Sequence, residues 1–183
     1  MIDSIFTLFE RFGGEHYGEN ASQLQHALQC AQLAREQGCE DGLVAASLLH
    51  DIGQFLNGAG DAAATQQRDA RHEIIGAAFL SRGFDRDVTE PVRLHVDAKR
   101  YLCTIEAGYE ASLSHASLLS LRLQGGKMTP AEIEAFAAEP FGRQAVLLRR
   151  FDDAGKRPDW VVPGLETYRD LLGSRLRRDH AAG

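Results

Sequence analysis

The sequence predicts an all-α protein folded as a compact helical bundle. Three observations carry this expectation. Apolar residues recur every three or four positions along most of the chain, and residues that start and stop helices bracket those stretches. No segment alternates apolar and polar side chains as a half-buried strand does. At 183 residues one hydrophobic core suffices, so residues 1–175 read as a single domain and residues 176–183 as a disordered tail.

The elements follow in order. MIDSIFTLFERF places Ile2, Ile5, Phe6, Phe9 and Phe12 on one helical face. SQLQHALQCAQLAREQG opens with Ser22 three residues before Gln25, the capping-box spacing, and stops at Gly38. CEDGLVAASLLHDIGQFL, residues 39–56, reads as one central apolar helix, and NGAGDAAATQQRDA, residues 57–70, as a long mobile loop. Helices are expected in RHEIIGAAFLSRGF and in DVTEPVRLHVDAKRYL, the latter with Thr89 near its cap and Pro91 in its first turn, where a missing N–H is tolerated. SLSHASLLSLRL runs up to Gly125 and Gly126. In TPAEIEAF, Thr129 caps, Pro130 takes the first helical position and Glu132 closes a capping box. GRQAVLLRRFDDAGK, a Pro-containing turn RPDWVVPG and a last amphipathic helix LETYRDLLGSRLRR complete the chain, with Trp160 in the turn as a packing anchor.

Composition narrows the function classes. A net charge of −6 argues against a nucleic-acid surface, while leaving room for a local basic pocket that takes a small anion. No apolar run reaches the length of a membrane span, and the N-terminal stretch lacks the basic start and cleavage site of a secretory signal. Cys30, Cys39 and Cys103 form no CxxC pair, so they read as reduced thiols, and the expected compartment is the cytoplasm.

One feature resists a purely structural reading. LLHDIG sets His50 and Asp51 side by side in the most apolar stretch, where an unpaired charge costs on the order of several kcal/mol. His26, His50, His72 and His95 each fall in a separate predicted helix at intervals of 22 to 24 residues, the length of a helix, a turn and a return. Antiparallel helices of that length would bring their middles together. A single core histidine is most often packing, but four beside a carboxylate point to metal. Imidazole with carboxylate suits iron, manganese, zinc or copper, whereas magnesium and calcium prefer oxygen shells. RRFDDAGK adds a carboxylate at Asp152 or Asp153. Six candidate ligands exceed what one ion takes, so two ions sharing Asp51 as a bridge are expected. His115 and His180 read as an ordinary helix-start residue and a tail residue.

The order His26, His50-Asp51, His72, His95, Asp152 resembles the expanded HD-domain pattern, whose core members are metal-dependent phosphohydrolases. YGENASQLQHALQCAQLA, RHEIIGAAFL, EPVRLHVDAKRYLC, SLLSLRLQGGKMTPAEIEAF and LRRFDDAGK together resemble the HD-domain oxygenases of phosphonate breakdown over most of residues 15–170. The pattern is related to that of myo-inositol oxygenase, a longer protein. The resemblance implies an HD-domain bundle with a dinuclear metal site in its core. One iron would be held by His26, His50, Asp51 and Asp152, the other by Asp51, His72 and His95. The pair would be mixed-valence Fe(II)/Fe(III), with dioxygen as co-substrate. The implied activity is oxidative cleavage of the carbon–phosphorus bond of a small 1-hydroxyphosphonate, such as 1-hydroxy-2-aminoethylphosphonate to glycine and phosphate. A metal-dependent phosphohydrolase of small phosphomonoesters or nucleotides is the alternative, because its ligand set is contained in this one.

Further positions follow from the same resemblance. Lys99, one turn after His95, and Arg149, three residues before Asp152, match cationic phosphonate contacts, and Ser117 and Ser120 match hydroxyl donors. Asp51 and Lys99 are thus the expected catalytic pair. Glu19 matches an acidic residue that faces a substrate amino group, which favours an amino-phosphonate. A tyrosine that closes over the metal in relatives corresponds to His16 by strict spacing, with Tyr17 one residue off. Gln54 stands where relatives often have a histidine that touches the phosphonate, and it donates a hydrogen bond without a charge. No nucleic-acid or membrane partner is expected, and the protein is read as a monomer or dimer.

Overall fold

The computed structural model describes residues 1–17, 19–56 and 68–177. Ten α-helices are described: α1 Ile2–Phe12, α2 Gln23–Glu36, α3 Asp41–Leu49, α4 His72–Leu80, α5 Arg86–Ile105, α6 Tyr109–Ser112, α7 His115–Leu123, α8 Pro130–Ala137, α9 Gly142–Ala154 and α10 Arg169–Arg175. Two 3₁₀ turns, Ile52–Phe55 and Leu165–Tyr168, precede the connection into α4 and α10 respectively. No strand occurs among the described residues, only an isolated bridge between Phe84 and Leu176. The all-α expectation holds.

Local signals explain most boundaries. The Ser22 side chain accepts from the Gln25 N–H at the start of α2, but the Gln25 side chain donates to the Pro158 carbonyl rather than closing the expected box. Thr129 and Glu132 do form the full capping box of α8, with Pro130 at its first position. Gly38 turns the chain after α2 with φ +66°.

Four expectations need correction. The stretch 39–56 is not one helix: α3 ends at Leu49, and the chain continues through His50 and Asp51 into a 3₁₀ turn. Gly53 there lies so close to α4 that a Cβ would sit 1.9 Å from the His72 carbonyl oxygen, which a continuing straight helix would not permit. Pro91 lies in the second turn of α5 rather than its first, because the helix begins at Arg86. That earlier start puts Val88, Val92 and His95 on one buried face. The four histidines do not meet at helix middles: His50 directly follows α3 and His72 is the first residue of α4. Finally, residues 176 and 177 of the expected tail are tied down, Leu176 by its bridge to Phe84 and Arg177 by an N–H bond to the Gly83 carbonyl at 2.8 Å. Residues 178–183, with His180, and residues 57–67 of the expected loop lie outside the described residues.

The main core gathers residues from α1 to α5, α9 and α10, with Ile5, Leu48, Leu49, Ile52, Phe84, Phe151 and Tyr168 nearly or fully enclosed. Each such side chain contributes about 1.5–3 kcal/mol by leaving water. Two smaller clusters, around Leu94 and Met128 and around Leu102 and Leu121, pack the far part of α5 against α6 to α9. The helix α5 runs past all three clusters and packs on α3, α4 and α9. It is the axis on which the site is built.

Candidate metal centre and adjoining cavity

The six expected ligands converge. His26 from α2, His50 and Asp51 after α3, His72 opening α4, His95 inside α5 and Asp152 near the end of α9 meet at one point. His26, His50, His95 and Asp152 are 5% exposed or less. The imidazoles form two pairs, each with facing Nε2 atoms 3.2 Å apart: His26 with His50, and His72 with His95. Asp51 stands between the pairs. Its Oδ2 lies 3.8 Å from His26 and 3.6 Å from His50, and its Oδ1 lies 3.2 Å from His72 and 3.8 Å from His95. One oxygen therefore faces each pair, the disposition of a bridging carboxylate. Asp152 reaches only the first pair, 3.4 Å from His26 and 4.0 Å from His50.

Backbone carbonyls fix three of the rings. The Nδ1 atoms of His26, His50 and His95 lie 2.8, 2.9 and 2.7 Å from the carbonyls of Gly155, Ser47 and Val92. A donated Nδ1 proton leaves Nε2 as the lone-pair atom, and all three Nε2 atoms point into the centre. Gly155 must be glycine for this, since a Cβ would come within 2.7 Å of the Cys30 sulfur. The buried Gln29 holds the same segment, donating to the Arg157 and Trp160 carbonyls and accepting from the Arg157 N–H. Cys30 is enclosed, and its thiol donates to the Phe151 carbonyl, consistent with packing.

The electrostatics repeat in each pair. Burial opposes a charge on every ring, yet Cys30 and Asp152 push the His26 pKa well above the usual value, and Asp51 raises that of His72. Burial lowers His50, and burial with the neighbouring His72 and His50 holds His95 well below the usual value. Against their burial, Asp51 is kept ionised by His50 and His72, and Asp152 by Arg149, Lys156 and His26. Each pair thus favours one positive charge between two Nε2 atoms, beside an ionised carboxylate. A divalent cation meets that demand, and the donor set of imidazole and carboxylate fits iron. The cluster has the donor set and geometry to hold metal.

Residues 24–138 match the HD domain family. The chain is 46% identical over 180 residues to the hydroxymethylphosphonate dioxygenase of Gimesia maris, covering 96% of this chain and 88% of that protein. It is 39% identical over 164 residues to the 1-hydroxy-2-(trimethylamino)ethylphosphonate dioxygenase (glycine-betaine-forming) of Leisingera caerulea, covering 89% of this chain and 84% of that protein. This chain belongs to the HD-domain phosphonate dioxygenase family. A protein of Acanthamoeba polyphaga mimivirus is 34% identical over 174 residues, 93% of this chain and 80% of that one.

In this dioxygenase-family protein a cavity of about 300 Å³ opens onto the centre, room for a small ligand only. Asp51, His72 and His95 form its floor, and Lys99, Ser117, Ser120, Arg149, Gln54, Tyr17 and Glu19 stand in its wall. His16 does not line it and is exposed, so the structure brings Tyr17, not His16, to the cavity. Lys99 is 2% exposed and donates to the Ser120 hydroxyl at 2.8 Å. Burial, with repulsion from Arg149, drops its pKa to about 7. Arg149 is engaged at all three nitrogens: Nη1 with Asp152 at 2.6 Å, Nη2 with Asp153 and Ser117, and Nε with the Tyr109 hydroxyl. Tyr109 in turn donates to Asp153. Asp153 thus braces Arg149, while Asp152 faces the histidines.

Sequence reasoning passed over three participants. Lys156, one turn after Asp152, donates to Glu19 at 2.9 Å and to Ser117 at 3.1 Å and lies 3.4 Å from Asp152. Its spacing from Asp152 in FDDAGK was a usable signal. His115, read as an ordinary helix-start residue, lines the cavity, and Tyr109 braces Arg149 from α6, too short a helix to show any periodicity.

Proposed function

We propose that this protein uses dioxygen to break the carbon–phosphorus bond of a small 1-hydroxyphosphonate, releasing a carboxylic acid and phosphate. The observation that carries the reading is Asp51, one oxygen toward each imidazole pair, at the floor of a cavity walled by Lys99 and Arg149. His26, His50, Asp51 and Asp152 would hold one iron, and Asp51, His72 and His95 the other. The iron pair, when bound, supplies dioxygen activation and a Lewis-acid seat for the substrate's hydroxyl and one phosphonate oxygen. One substrate molecule and one dioxygen account for every atom of the two products.

The protein's own groups do the rest. Lys99 offers its ammonium to the phosphonate from the His95 side, steadied by Ser120. Arg149 holds Asp152 in place and presents its edge to the cavity beside Ser117. Gln54 adds a neutral hydrogen bond where relatives often have a histidine, so it orients the substrate without moving a proton. Tyr17 lines the cavity and would supply the gating phenol that the family resemblance implies.

The test is direct. Iron-loaded protein should consume dioxygen and release phosphate in equal amounts from a 1-hydroxyphosphonate, with a paramagnetic signal from a half-reduced, spin-coupled iron pair. Phosphate released without dioxygen from phosphomonoesters, and none from hydroxyphosphonates, would replace this reading with a hydrolase.

A further inference from the structure

The far wall of the cavity carries a salt bridge that the metal centre does not need. Glu19 Oε1 accepts from the Lys156 ammonium at 2.9 Å and from the Ser114 hydroxyl at 2.7 Å. Both charged side chains are largely enclosed, 16% and 17% exposed, and both line the cavity. Lys156 also donates to Ser117 at 3.1 Å, so three elements fix its position: the segment before α2, the start of α7 and the end of α9.

A free Glu19 would be a seat for a substrate ammonium. Here that charge is already matched. A cationic tail approaching Glu19 would meet Lys156 within a few ångströms of the same carboxylate, and like charges held that close in an enclosed site repel strongly. Outside the metal ligands, the other described wall carboxylate is Asp69, which accepts from the Arg71 N–H at 2.9 Å and stands on the segment that leads into α4. The remaining wall is cationic or neutral around Lys99, Lys156 and Arg149. That balance suits a dianion with nothing positive attached to it.

We propose that the Glu19–Lys156 pair is a specificity element: it serves as a built-in ammonium and restricts the site to hydroxyphosphonates whose carbon chain bears no positive charge. This rests on the function proposed above. It also reverses the preference for an amino-phosphonate that Glu19 alone would imply.

The experiment uses the iron-loaded full chain and two readouts. Under anaerobic conditions, calorimetry compares methylphosphonate with 2-aminoethylphosphonate; in air, phosphate release compares hydroxymethylphosphonate with 1-hydroxy-2-aminoethylphosphonate. The uncharged-tail compound should win by about tenfold or more in affinity and in kcat/KM. Lys156→Met should shrink that preference by about tenfold, as Glu19 becomes available to the ammonium. Glu19→Gln keeps the Lys156 charge and should preserve or sharpen the discrimination, and it serves equally if the Lys156 variant fails to fold. A wild-type preference for the amino compounds, an unchanged ratio in Lys156→Met, or improved binding of the ammonium compound by Glu19→Gln would each overturn the proposal. If neither hydroxyphosphonate yields phosphate while the calorimetric preference holds and collapses in Lys156→Met, the oxygenase reading falls and the tail selectivity stands.

Discussion

The two halves of the metal centre are built differently. The His26, His50 and Asp152 half is braced on every member: its rings are anchored by the Gly155 and Ser47 carbonyls, and Arg149 and Lys156 hold Asp152 from behind. The His72 and His95 half borders the same cavity and is braced less fully. His95 is anchored by Val92, but His72 opens α4 directly after Arg71, which adopts φ +53°, and its side chain is 16% exposed. Among the described residues, Glu73 stands behind His72 at 3.8 Å, and its buried oxygen there finds no hydrogen-bond partner. The better braced half would hold an ion more firmly, and the half with the freer imidazole would yield more readily to an incoming ligand.

Breaking the shared residue gives the largest effect. Asp51→Ala removes an oxygen from both halves, so both irons should be lost and turnover should fall to background; two irons per chain in that variant would refute the bridge. His72→Ala should separate the halves. It should retain about one iron per chain, measured by elemental analysis, with no turnover, because the braced half keeps four expected ligands. Loss of both ions would show that the halves depend on each other.

Lys99 sharpens the comparison from the cavity side. Lys99→Met should raise KM roughly 10- to 100-fold, the worth of a charge-assisted hydrogen bond. The same variant should be more stable. The folded-state pKa of Lys99 lies at about 7, below the ordinary lysine value of 10.5, so between those limits the unfolded chain binds the extra proton and stability rises with pH. At neutral pH and below, Lys99 therefore weighs against folding, and a gain of about 1 kcal/mol on its removal would raise Tm by about 2–4 °C. In the wild type, loss of the ammonium proton above pH 7 should raise KM, and Lys99→Arg should flatten that profile. The smallest effect falls on the braced half: Tyr109→Phe removes one acceptor from Arg149 and should cost about threefold to tenfold in KM, with iron content unchanged.

Much of this was legible beforehand, residue by residue. Thr129, Pro130 and Glu132 act within one turn of chain, so their capping box could be read directly. The histidine and aspartate order survives any change in the helices that carry it, which is why the converging cluster is readable although α3 ends at Leu49, before His50. Glu19 shows the opposite case. Its spacing before His26 was visible, but its partner Lys156 is 137 residues away, and no local pattern announces such a pair.

By itself the sequence determined the helical class, the capping box of α8, and the identity and order of the six side chains that converge in the core. These depend on periodicity and chemistry that neighbouring residues impose on one another. Only the tertiary structure decided that Asp51 turns one oxygen to each histidine pair, that Tyr17 rather than His16 reaches the cavity, and that Lys156 neutralises Glu19. Each of those is a distance between atoms on different elements, fixed by how α2, α5 and α9 pack, and close packing is a property of the whole chain.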